Sequence, residues 1–243
     1  MKWKLVAALA TPLAVLGCKE AAPAPQPSAS VATATAVATP AADEVVILAL
    51  GDSLFAGYGL GPGQSYPAQL EIALKVRGIP ARIINAGVSG DTSADGLARL
   101  DFVLGGMSKK PALVLISLGG NDMLRVVPPA ETRRNLAALL AKLQTARVPV
   151  VLLGLLAAPN LGSEYTAAFN PIYPALAKQT GAMLVPFWLL PLQGHPELIQ
   201  ADHIHPTLPG IDQLVAATVD QVADTVKSVP PIRRRPATPT LDR

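Results

Sequence analysis

Between residues 44 and 228 this 243-residue chain alternates short apolar runs with longer segments of helical period, and that alternation constrains the fold more than any other feature. The runs are VVILAL (45–50), RIINAG (82–87), ALVLISLG (112–119), VPVVLLGL (148–155) and AMLVPF (182–187). None alternates polar with apolar residues, which is the pattern of strands buried on both faces of a parallel sheet. The segments between them predict helices over Ser65–Val76, Thr92–Leu104, Ala130–Ala146 and Tyr165–Thr180, with a last one over Leu208–Val226. In the third, Leu136, Leu139, Leu140 and Leu143 share one face and leave Arg133, Arg134 and Lys142 for water. Ile211, Leu214, Val215, Val219, Val222 and Val226 do the same in the last. Strands and helices in this order predict the α/β class: a three-layer α/β/α sandwich on a five-stranded parallel sheet.

The two ends have a different composition. Met1-Lys2-Trp3-Lys4 is a positive leader, and the apolar stretch Leu5–Gly17 is too short to span a bilayer as a mature helix, which together read as an export signal. Cys18, the only cysteine, follows directly, and VLGC (15–18) resembles the lipobox of bacterial lipoproteins. Lipidation at Cys18 and attachment to the membrane through an N-terminal lipid anchor are therefore expected. Residues 19–43 are rich in Ala, Pro, Ser and Thr and read as a flexible tether, while 229–243 form a basic, Pro-rich tail expected to be disordered. The formal net charge of +3 owes much to these ends, with Lys2, Lys4 and Lys19 on one side and Arg233, Arg234, Arg235 and Arg243 on the other. The domain between is close to neutral, which argues against nucleic acid as a partner. It has no P-loop and no Gly-x-Gly-x-x-Gly after its first strand, so nucleotide binding has little support.

In an open α/β sheet the ligand crevice lies outside the carboxyl ends of the strands. Four polar clusters fall there: Gly51-Asp52-Ser53-Leu54, Asn85-Ala86-Gly87-Val88-Ser89-Gly90-Asp91, Gly119-Gly120-Asn121-Asp122 and, after the fifth run, Asp202-His203-Ile204-His205. Acyl transfer needs a hydroxyl nucleophile, a base, a group that orients the base, and donors for the developing oxyanion. Ser53 supplies the hydroxyl. Of the three histidines, His205 has Asp202 three residues before it, close enough for the carboxylate to meet the imidazole; His203 has less to recommend it, and His195 reads as a loop residue. The backbone N–H groups of Ser53 and Gly87 and the amide of Asn121 are the candidate oxyanion donors. Taken singly, the glycines also fit turns, and Asn121 an Asx-turn or helix cap.

The four blocks, in order and each at a strand end, resemble those of the SGNH or GDSL hydrolase superfamily over residues 44–228. GDSLFAGYG, NAGVSGDTSADGLARL and GGNDMLR are most similar to the branch of bacterial periplasmic acyl-CoA thioesterases, also described as lysophospholipases and arylesterases. The resemblance implies a flavodoxin-like strand order 2-1-3-4-5, Ser53 as nucleophile, Asp202 and His205 completing the triad, Gly87 and Asn121 as oxyanion donors, and no metal or organic cofactor. The expected activity is a serine esterase acting on carboxylic acyl esters, among them aryl esters and lysophospholipids, and extending to acyl thioesters. The alternative is a carbohydrate O-acetylesterase of the same superfamily working on envelope polysaccharide. A non-enzymatic envelope lipoprotein would carry a broken triad, and every member is present. Met123, Leu124, Val126 and Val127 are candidates for an acyl groove, and Phe187–Leu198 for a flap. An exported or periplasmic monomer taking a small-molecule or lipid substrate completes the expectation.

Overall fold

A computed structural model describes residues 44–229; the expected signal segment, the tether with Cys18 and nearly all of the basic tail lie outside them. Five parallel strands form one sheet: β1 (Val45–Gly51), β2 (Ala81–Gly87), β3 (Leu113–Ser117), β4 (Val150–Leu153) and β5 (Met183–Val185). Their order is β2-β1-β3-β4-β5, as the resemblance implied. β1, β3 and β4 are buried almost throughout, but β2 and β5 are only partly so. The expectation that every run is buried on both sides holds for the interior strands and fails at the sheet edges, where a strand lacks one neighbour.

The helices are α1 (Ser53–Ala56), α2 (Tyr66–Val76), α3 (Ser93–Gly105), α4 (Gly120–Leu124), α5 (Pro129–Thr145), α6 (Ser163–Phe169), α7 (Ile172–Thr180) and α8 (Leu208–Ser228). α2 packs with α8, and α3 with α5, which packs in turn with α7. The helix starts are written in the local chemistry. Ser65 and Thr207 cap α2 and α8 through their hydroxyls, and Thr92 with Asp95 forms a capping box on α3. The leucine stripe of α5 is buried, with Arg133, Arg134 and Lys142 exposed opposite it. The single helix expected over Tyr165–Thr180 is two, because Pro171 has no N–H to continue the ladder and its ring obstructs the preceding turn. No helix among the described residues is long and apolar enough to cross a membrane.

Candidate active site

The register of the sheet sets Gly51 opposite both Gly87 and Ser117, so β1, β2 and β3 end side by side. The loops leaving these three strands therefore converge. Past β1 the chain turns at Asp52, whose carboxylate accepts the Leu54 N–H at 3.0 Å while its carbonyl accepts from Ala56 at 2.9 Å. Ser53 thus begins a one-turn helix, and its own N–H has no partner among the described residues. Past β3, Gly119 takes a φ of 109° and starts α4, which sets Asn121 beside Ser53 on the same cleft.

His205 arrives from the loop before α8. Its Nε2 lies 2.8 Å from Ser53 Oγ and its Nδ1 2.6 Å from Asp202 Oδ2. In the neutral imidazole Nδ1–H donates to the carboxylate, leaving Nε2 free to accept the serine proton. Asp202 Oδ1 accepts the N–H groups of Ile204 and His205, each at 3.0 Å. Those bonds, with His205 the principal partner, hold the Asp202 carboxyl well below the usual carboxylate range. Asp52 behaves oppositely: burial pushes it up to about 6, against the lowering effect of the Leu54 N–H. His203 lines the cleft without bonding to Ser53; its N–H closes a turn onto Gln200 O at 3.0 Å, with φ at 60°. His195 pairs with Glu197 at 2.9 Å on exposed surface.

One sequence expectation is corrected here. The Gly87 N–H is consumed by Asn85 Oδ1 at 2.9 Å, and Gly87 does not line the cleft. Its glycine requirement is steric: a Cβ would come within 2.4 Å of Ala56 N, so Gly87 is what lets α1 lie against the end of β2. Gly90 lines the cleft instead, and its N–H has no partner among the described residues. Asn121 is held by one hydrogen of its amide, donated to Asp91 O at 2.9 Å, and the second hydrogen remains available. Asp91 is itself fixed by Arg99, whose Nε lies 2.5 Å from its carboxylate and whose fork also reaches Gly51 O at 2.9 Å. The two glycines stand three residues apart: Gly87 ends β2 with its N–H taken by the Asn85 side chain, and Gly90 lies in the loop beyond it at a φ of 88°.

The nucleophile turn, the imidazole, the carboxylate and the asparagine have the arrangement of a known group of hydrolases, and comparison with known proteins decides which. The model of the GDSL-like lipase/acylhydrolase family matches residues 49–212. The chain belongs to that family. It is 44% identical over 170 residues to esterase TesA of Pseudomonas aeruginosa, covering 70% of this chain and 84% of that one. It is 38% identical over 166 residues to thioesterase 1/protease 1/lysophospholipase L1 of Escherichia coli, covering 68% and 77%. The crystal structure of AlinE4, an SGNH-hydrolase family esterase, superposes with a TM-score of 0.65 at 55% identity, covering 75% of this chain and 96% of that one.

The cleft of this GDSL hydrolase has a volume of about 490 Å³, within the range of small-molecule sites. Leu54, Met123, Leu124, Leu155, Leu189 and Ile204 give it apolar walls around the Ser53–His205 pair. Met123 and Leu124 line it as the sequence suggested, whereas Val126 and Val127 do not. Of the expected flap only Leu189 reaches it; Trp188 is buried against Tyr66 and Phe55, with ring centroids 4.9 and 5.9 Å away. Sequence reasoning placed Asp52 and Gly90 in its polar clusters without giving them a role, and missed Tyr58 and Leu155. Asp52 carried a signal, since an aspartate directly before a short helical turn is a capping residue. A smaller cleft of about 220 Å³ lies where β4 and β5 begin, lined by Gln144, Arg147 and Thr180 but by no histidine or carboxylate. No group of three metal-ligating side chains occurs among the described residues.

Proposed function

We propose that this protein is a serine esterase that hydrolyses carboxylic acyl esters through an acyl-enzyme on Ser53. The observation that carries the reading is the unbroken hydrogen-bonded chain from Asp202 through His205 to Ser53 Oγ, at 2.6 and 2.8 Å. His205 Nε2 takes the hydroxyl proton as Ser53 attacks the acyl carbon, and Asp202 stabilises the resulting imidazolium. The oxyanion develops toward the N–H groups of Ser53 and Gly90 and the free amide hydrogen of Asn121; the open state of these three donors supports that role. His205 then returns the proton to the leaving alkoxide, and a water activated by the same imidazole releases the acid.

The apolar walls favour acyl groups with a hydrocarbon chain over acetylated sugar, which supports lysophospholipid-like and aryl esters, with thioesters as further substrates. Ser53, His205, Asp202 and Asn121 all belong to one chain, so the proposed chemistry needs no residue from a partner subunit. The apolar segment Leu5–Gly17 ending at Cys18 supports export and lipidation at that cysteine. A fluorophosphonate probe tests the nucleophile: stoichiometric labelling of the parent protein and none in Ser53→Ala is expected, and undiminished labelling of that variant would overturn the assignment. A series of p-nitrophenyl esters from acetyl to palmitoyl, run beside lysophospholipid and acetylated sugar, ranks the substrates.

A further inference from the structure

The two halves of the reacting pair come from opposite ends of the chain, and one side chain joins their loops. Gln200 Nε2 donates both of its hydrogens, to Tyr58 O at 2.8 Å and to Pro206 O at 2.8 Å. Its backbone N–H donates to His205 O at 2.7 Å. Tyr58 belongs to the nucleophile's turn, since its N–H donates to Ser53 O at 3.2 Å, and its ring lies over the His205 imidazole with centroids 4.4 Å apart. Gln200 therefore grips the residue after His205, the peptide of His205 itself, and the residue whose ring covers His205. Space is reserved for it on the other side: a Cβ on Gly59 would come within 2.1 Å of Gln200 Oε1, at a position whose φ is +74°.

We propose that Gln200 is a positioning residue for the proposed esterase chemistry: it sets the distance between Ser53 Oγ and His205 Nε2 by pinning the base-bearing loop to the nucleophile-bearing turn. Asp202 orients the imidazole about its own loop, but its bonds to Ile204 and His205 are all local. Apart from the His205 imidazole itself, Gln200 is the side chain that hydrogen-bonds from that loop to the Ser53 turn among the described residues. An amide suits the task because both targets are carbonyl oxygens, which need two donors from one planar group. Glutamate has the same shape and would present acceptors to acceptors.

The inference rests on the proposed function, and the experiment keeps the two apart. Turnover of a p-nitrophenyl ester, the rate of fluorophosphonate labelling and the melting temperature are measured for Gln200→Ala, Gln200→Glu and Ser53→Ala. Both Gln200 variants are expected to lose roughly 10- to 100-fold in kcat and in labelling rate, with KM held within about twofold and the fold intact. Gly59→Ala supplies a second test, because its backbone strain is the same in either background while its clash exists only when the amide is present. It is expected to lower kcat in the parent and to add little further loss to Gln200→Ala, a non-additive pair. Full kcat in Gln200→Glu, or additive losses in the Gly59/Gln200 pair, would overturn the positioning role. Persistent labelling of Ser53→Ala would instead remove the chemistry on which the role depends.

Discussion

On one wall of the cleft Asn121 stands over a buried polar cluster, and on the other Asp202 and His205 stand on a loop whose residues 201–204 are exposed. The cluster is interlocked across three helices. Asp122, 1% exposed, accepts the Ser93 N–H at 2.7 Å, the Ser93 hydroxyl at 2.5 Å and the Thr132 hydroxyl at 3.1 Å, while Asn135 donates to Ser93 Oγ at 3.1 Å. The base loop is held by bonds that start and end within it or reach only to its neighbour, the Ser53 turn. Both walls use an aspartate as an acceptor of several donors. The difference lies in what surrounds it: donors that lose Asp122 are stranded in the interior, whereas donors that lose Asp202 meet water. One wall should carry activity and stability together, the other chiefly activity.

His205→Ala breaks the exposed wall at its centre, and a loss of turnover of about 10⁴-fold is expected from removing the base, with an unchanged urea midpoint. A clear fall in stability would erase the proposed contrast. Asp122→Ala attacks the buried wall and is expected to cost about 3–5 kcal/mol of unfolding free energy, since it orphans buried donors on two helices. Urea unfolding measures it, and a cost near zero would mean that the cluster is not what holds α4. Asn121→Ala sits at the junction: turnover is expected to fall about 10²-fold through loss of one oxyanion donor, with stability little changed.

A subtler contrast sets Asp52 against Asp202. Asp52 titrates at about 6 in the fold against an ordinary 3.8, so the folded state binds its proton more tightly than the unfolded chain does. Its contribution is fully present below pH 3.8 and is lost as pH rises through 6. Asp52→Asn keeps an acceptor for Leu54 and removes the buried charge. It is expected to be more stable than the parent by about 2–3 kcal/mol at pH 8, with no gain below pH 4. Thermal melts at the two pH values decide this. Asp202, whose carboxyl is held low, works in the other direction: its contribution is present above 3.8 and is lost as pH falls. His203→Ala has the smallest expected effect, within about threefold in kcat, because that imidazole bonds to neither Ser53 nor Asp202. A large loss there would transfer part of the site to a residue the geometry leaves outside it.

Much of the site was legible because its parts are local. Asp202 and His205 lie three residues apart, so one turn of chain suffices to join them, and Ser53 follows an unmistakable apolar strand. Gly87 shows where that legibility stops. Two glycines three residues apart are equivalent on paper, and the distinction rests on which N–H the Asn85 side chain consumes and which glycine lines the cleft. Tyr58 and Gln200 were invisible for another reason, being 142 residues apart and joined by a bond to a backbone carbonyl, which any residue at position 58 would offer.

By itself the sequence determined the α/β class, the five strands, the caps that start most of the longer helices and the residues of the proposed triad, because periodicity, capping and short-range spacing act over a few residues. The tertiary structure decided which edges of the sheet stay exposed, that Pro171 splits a helix, which glycine lines the cleft and which glutamine bonds to both loops. Those outcomes depend on which hydrogen-bond donors are already used once distant segments have packed, and no stretch of sequence records that alone.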